Sequence, residues 1–92
     1  MNVLKCIKPV GESELLTYNF EVGEFYHAVD RKSRLGKTYT KVWSNKTDYS
    51  ECFWNPYEFF EAIGSYEVDM FSNSENDRRF KEIVDSNTEK RS

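Results

Sequence analysis

One histidine and two cysteines are the side chains in this 92-residue sequence best suited to a covalent step. Nucleophilic catalysis needs a nucleophile, a base in reach, and a third group that orients the base. His27 is the one imidazole, it sits in the strand-like stretch Phe25-Tyr26-His27-Ala28-Val29, and no Gly-x-Ser-x-Gly elbow occurs. Cys6 and Cys52 are 46 positions apart with no Cys-x-x-Cys pairing. Two thiols and one imidazole cannot complete a tetrahedral zinc site, so both cysteines read as small buried hydrophobes. The run Gly36-Lys37-Thr38 has Arg31 where a phosphate loop requires its first glycine, and a strand is expected after it instead of a helix. Glu67 and Asp69 form a carboxylate pair, but so short a chain has no room to wall a sugar cleft around them. The reading is a non-enzymatic protein with no cofactor and no bound metal.

Binding chemistry is better represented. From Arg31 to Lys46 the sequence carries six cations (Arg31, Lys32, Arg34, Lys37, Lys41 and Lys46) and no acid. From Thr47 to Asp77 it carries eight acids (Asp48, Glu51, Glu58, Glu61, Glu67, Asp69, Glu75 and Asp77) and neither lysine nor arginine. The acids are interleaved with Tyr49, Phe53, Trp54, Tyr57, Phe59, Phe60, Tyr66 and Phe71. An uncovered ring rimmed by carboxylates is an anchor for a basic protein surface. Trp54, Tyr57, Glu58, Phe59, Glu61, Glu67 and Asp69 are the residues expected to make that contact. The basic block gives an alternative. Arg31, Lys32, Arg34, Lys37 and Lys41 beside Tyr39 and Trp43 suit phosphates and stacked bases. The formal net charge of −3 weighs toward a solvated hairpin instead, because nucleic-acid binders usually carry positive charge.

These residues must be held by a single small domain. Hydrophobic residues make up 38% of the chain and aromatics 16%, enough for one core and too many rings for a disordered chain. The mean hydropathy of −0.79 argues against a membrane protein, and without an apolar leader the cytoplasm is the expected compartment. Residues 2–8 read as a strand ended by Pro9 and Gly11. Residues 15–22 place Leu16, Tyr18, Phe20 and Val22 on one face by period two and read as a second strand. Residues 24–30 and 38–44 are β-rich, and Gly36 supplies the positive φ of the hairpin loop between them. Residues 49–54 return as the next strand after the turn Asn45–Asp48. Asn55, Pro56 and Glu58 look like a helix start, with Tyr57, Phe60 and Ile63 inward and Gly64 closing two turns. Residues 65–72 alternate like a half-buried strand. Ser74 is expected to cap a last helix bearing Phe80, Ile83 and Val84. The fold class that follows is α+β, mainly antiparallel β: a small SH3-like barrel, or a compact sheet, with one short helix and a C-terminal helix. Residues 1–86 are expected to form the domain and 87–92 a frayed tail.

The opening Val3-Leu4-Lys5-Cys6-Ile7-Lys8, with Phe20, Gly23 and Tyr26 spaced as Phe-x-x-Gly-x-x-Tyr, resembles the start of small phage-encoded accessory proteins with an SH3-like β-barrel. The resemblance covers about the first third of the chain. It implies a phage product that inhibits or redirects a host protein in the host cytoplasm. Contact through the acidic, aromatic residues is then the leading expectation, and a nucleic-acid module using the 31–46 hairpin is the alternative.

Overall fold

The computed structural model describes residues 1–89. Five antiparallel strands form one sheet: β1 (Asn2–Cys6), β2 (Phe25–Lys32), β3 (Thr38–Trp43), β4 (Ser50–Phe53) and β5 (Phe60–Ser65), in the spatial order β4-β3-β2-β1-β5. A short helix α1 (Glu14–Asn19) lies between β1 and β2, a 3-10 turn (Pro56–Glu58) precedes β5, and the long helix α2 (Asn73–Glu89) follows it. The architecture is α+β and mainly antiparallel β. β2 and β3 pair from His27↔Trp43 to Lys32↔Thr38, and Gly36 closes the hairpin at φ 81°.

Strand alternation divides the side chains between two faces. Leu4, Cys6, Tyr26, Ala28, Val42 and Phe60 point to one side and pack under Phe20, Val10 and the half-buried Leu16, with Phe53 and Phe59 at the margin. Phe20 meets Tyr26, Phe53 and Phe60 edge-on, with ring centroids 5.3–5.9 Å apart. Each such ring contributes about 1.5–3 kcal/mol by leaving water. The Tyr26 hydroxyl accepts the Glu21 N–H at 2.7 Å, and burial pushes its pKa up to about 12. Phe20, Gly23 and Tyr26, the residues of the short sequence motif, therefore serve folding: two are core rings, and Gly23 makes a turn at φ 94° whose N–H reaches Cys6 O at 2.8 Å.

The second face carries α2 across β5, β1 and the near end of β2. Phe80 stacks on His27 at 4.0 Å, Ile83 lies against Gly64, and beneath them Val3 is fully buried.

Several sequence expectations are corrected. Residues 15–22 are not a strand. Glu14–Asn19 is helical, Thr17 N–H bonds to Ser13 O, and Asn19 Nδ2 donates to Leu15 O at 2.9 Å. Leu16, Asn19 and Phe20 then share the inward side at helical spacing, and Tyr18 and Val22 face solvent. Residues 55–64 make one 3-10 turn and then β5, because β1 has a free edge to pair: Ile7 N–H bonds to Phe59 O at 2.8 Å, and Cys6 faces Phe60. Tyr57, expected inward, is 59% exposed. Gly64 is a strand residue whose φ is not positive, and its missing side chain admits α2. Residues 66–72 form an irregular connection and not a strand. Ser72, not Ser74, caps α2 through its Oγ and the Glu75 N–H at 3.2 Å. The helix continues through 87–89, so only residues 90–92 of the expected tail remain, and they lie outside the described residues. Cys6 is buried as expected, whereas Cys52 is exposed, because it sits on the outermost strand facing away from the core.

Candidate functional site

The face that α2 shares extends beyond it onto β3 and β4. Registers Arg31↔Tyr39, Val29↔Lys41 and His27↔Trp43 on one side of β3, and Lys41↔Cys52 and Trp43↔Ser50 on the other, define its rows. One step past β4 stands Trp54, 65% exposed, its ring 5.7 Å from Tyr39 and edge-on to it. Arg31, Val29, Tyr39, Lys41, Trp43, Cys52 and Trp54 thus occupy one continuous surface. None of the strand side chains on this side of β2, β3 and β4 is acidic: Asp30 and Glu51 point to the other side, where Asp30 Oδ1 accepts the Thr40 hydroxyl at 2.7 Å and Glu51 accepts from Tyr49.

Local sequence explains this arrangement. β3 (TYTKVW) alternates Thr38, Thr40 and Val42 against Tyr39, Lys41 and Trp43, so one side is small and packs inward and the other is large and faces out. The Lys41 ammonium lies over the Trp43 ring at 5.3 Å. This contact orders both side chains and holds the cation at the surface. Arg34 and Lys37 are exposed in the hairpin loop, where Ser33 Oγ accepts the Lys37 N–H at 3.3 Å. Of the alternative set, Arg31, Tyr39, Lys41 and Trp43 share the face and Arg34 and Lys37 border it. Lys32 falls on the opposite side of β2. Among the described residues, Lys46 is the one cation of the 31–46 block in an ion pair, with Glu21 at 2.7 Å.

The acidic, aromatic set is distributed differently. Tyr57 and Glu58 project from the 3-10 turn, Phe59 packs against the core, and Glu61 lies on β5 opposite Lys5. Glu67 and Asp69 lie past the far end of β5, about 20 Å along the strand direction from Phe59 at 3.3 Å per residue. Around them the backbone is tied down: Arg79 donates to Glu67 O, Asn76 bonds to both the N–H and the carbonyl of Asp69, and Asp69 Oδ1 accepts the Phe71 N–H at 2.9 Å. Trp54, assigned to this set from sequence, stands instead beside Tyr39 on the basic face. Its place there follows from counting period two across the Asn45–Asp48 turn, which requires the β3–β4 register. Cys52 and Val29 had no signal beyond strand alternation.

His27 marks the boundary between the covered and uncovered parts of the face. Burial lowers its pKa; Asp77 opposes that shift, and the N-terminal amine adds to it. Among the described residues no three His, Cys, Asp or Glu side chains are placed to hold a metal ion, and no helix is long and apolar enough to cross a membrane. A cleft of about 180 Å³ between the sheet and α2, lined by Lys5, Gly23, Phe25, Asn87 and Thr88, contains none of these face residues. The chemistry the face offers is ring stacking, two cations and a thiol. Comparison with protein-family models, with curated proteins and with solved structures returns no match.

Proposed function

We propose that this chain is a small, non-enzymatic nucleic-acid-binding module that acts in the cytoplasm, with the β2–β3–β4 face as its contact surface. The observation that carries the reading is the gathering of Arg31, Tyr39, Lys41, Trp43 and Trp54 on one uncovered face with no carboxylate among them. A net charge of −3 does not oppose it, because no strand side chain on this side of β2, β3 and β4 is acidic, and attraction at short range is set by the charges on the contacting face. The test is retention on an immobilised oligonucleotide as salt is raised. Arg31→Glu and Lys41→Glu should each weaken retention and flatten the logarithmic salt slope by about 0.7–0.9 per lost phosphate contact. Glu58→Lys should not weaken it. A wild-type chain that is not retained at low salt removes the reading.

A second reading keeps the phage resemblance and has the chain modulate a host protein through Tyr57, Glu58, Glu61, Glu67 and Asp69. Phe71, 98% exposed beside Asp69 on a hydrogen-bonded connection, is the observation in its favour. The spread of the remaining residues along the whole of β5 is why it stands second.

A further inference from the structure

We infer that the strand bound on the β2–β3–β4 face is single-stranded, its unpaired bases stacking on Trp54 and Trp43. This rests on the nucleic-acid reading above and narrows its ligand. In a duplex the faces of the bases are hidden in the stack and only their edges reach the grooves. A flat sheet surface whose main offering is ring faces therefore gains little from a duplex and much from bases that are already free. Tyr39 meets Trp54 at 63° with ring centroids 5.7 Å apart, which braces the Trp54 ring, and Trp54 remains mostly exposed to solvent. Trp43 lies two rows away on the same face, under the Lys41 ammonium. Two rows at 3.3–3.4 Å per residue place the two residues about 13 Å apart along the strands. Neighbouring bases in a duplex rise by about 3.4 Å, so one stacked pair cannot engage both rings, whereas an extended single strand can.

The cations fit the same path. Arg31 shares the Tyr39 row, Arg34 and Lys37 stand on the hairpin loop beyond it, and Lys41 lies between the two tryptophan rows. Phosphates following the strand from the hairpin toward Trp43 meet a positive side chain at each stage. When a base stacks on Trp43, Lys41 exchanges its place over the ring for a phosphate.

The two tryptophans of the chain are both on this face, so intrinsic fluorescence reports on it directly. The experiment titrates the protein with a mixed-sequence DNA or RNA single strand of about eight nucleotides, a length typical of small single-strand sites. The same strand annealed to its complement and an oligo-aspartate peptide are the comparison arms. Quenching is expected with the single strand, with the duplex at least about tenfold weaker. Trp54→Ala should lower single-strand affinity by about five- to a hundredfold. Because Trp54 is exposed, the variant's fold is checked by an unchanged urea midpoint, and Trp54→Phe should recover most of the affinity. Duplex binding equal to or tighter than single-strand binding overturns the inference while sparing the proposed function. Trp54→Ala without effect does the same. Failure of both nucleic acids to bind overturns both, and saturable binding of oligo-aspartate alone assigns the face to an acidic protein.

Discussion

Gly64 of β5 lies so close to Ile83 of α2 that a Cβ added to the glycine would stand 2.9 Å from Ile83 Cγ2. A methyl on a β-branched residue cannot swing away as the end of a long side chain can. Gly64→Ala is expected to lift α2 from the sheet and cost about 1–3 kcal/mol, the usual range for overpacking. Urea unfolding measures it. In an Ile83→Ala background the same change should cost markedly less, and strictly additive costs would show that the two residues do not meet.

Protonation of His27 should weaken the same junction. Its folded pKa is lowered by burial beneath Phe80, so between that value and the ordinary value of 6.5 the unfolded chain binds more protons than the folded one. Stability is thus complete above about pH 6.5 and declines as pH falls through and below it. Asp77 favours the protonated ring, and the N-terminal amine disfavours it. Asp77→Asn should steepen the decline, and His27→Gln should flatten it, at a lower stability throughout. Denaturant midpoints between pH 7.5 and 5.5 test this; identical slopes for wild type and His27→Gln contradict it.

Tyr26→Phe keeps a ring in the core and removes one hydroxyl. The Glu21 N–H, bonded to that hydroxyl at 2.7 Å, loses its acceptor, and the expected cost is about 1–3 kcal/mol. The folded pKa of about 12 lies above the ordinary 10.0, so the wild type's advantage over Tyr26→Phe is complete below pH 10 and shrinks as pH rises toward 12. A pH-independent difference would assign the effect to packing alone.

The two thiols should differ sharply. Cys6 is buried, donates to Lys8 O at 3.1 Å, and has its pKa raised by burial; Cys52 is exposed. A disulfide-exchange reagent should label one thiol quickly in the native protein and the second only on unfolding. Because Cys52 faces Lys41 across β3 and β4, a bulky maleimide there should also reduce oligonucleotide retention. Unchanged retention after complete labelling would place the contact elsewhere.

The hairpin of β2 and β3 was legible because Gly36, the β-branched and aromatic run at 38–43, and the polar loop all signal the same element. α1 was not. Over seven residues Leu16, Tyr18, Phe20 and Val22 satisfy a period of two as well as Leu16, Asn19 and Phe20 satisfy a helix, and the docking of Phe20 among Tyr26, Phe53 and Phe60 decides between them. β5 carries a genuine turn signal at Asn55-Pro56, but its extension depends on pairing with β1 some sixty residues earlier, which no local pattern encodes. The candidate face was half legible. Arg31, Tyr39, Lys41 and Trp43 follow from alternation within one hairpin, whereas Trp54 joins them only through the register of β4. The alternation of Tyr66, Val68 and Met70 does not become a strand: Tyr66 N–H bonds to Met1 O at 3.0 Å, and beyond it the backbone of Glu67 and Asp69 is tied to Arg79 and Asn76 of α2.

The sheet divides its labour between its surfaces. The buried core points inward or lies beneath α2, while Arg31, Cys52 and Trp54 on the open side are exposed and outside that core. Exposed positions tolerate substitution at little cost in stability, so the chemistry of this face can change while the architecture stays the same.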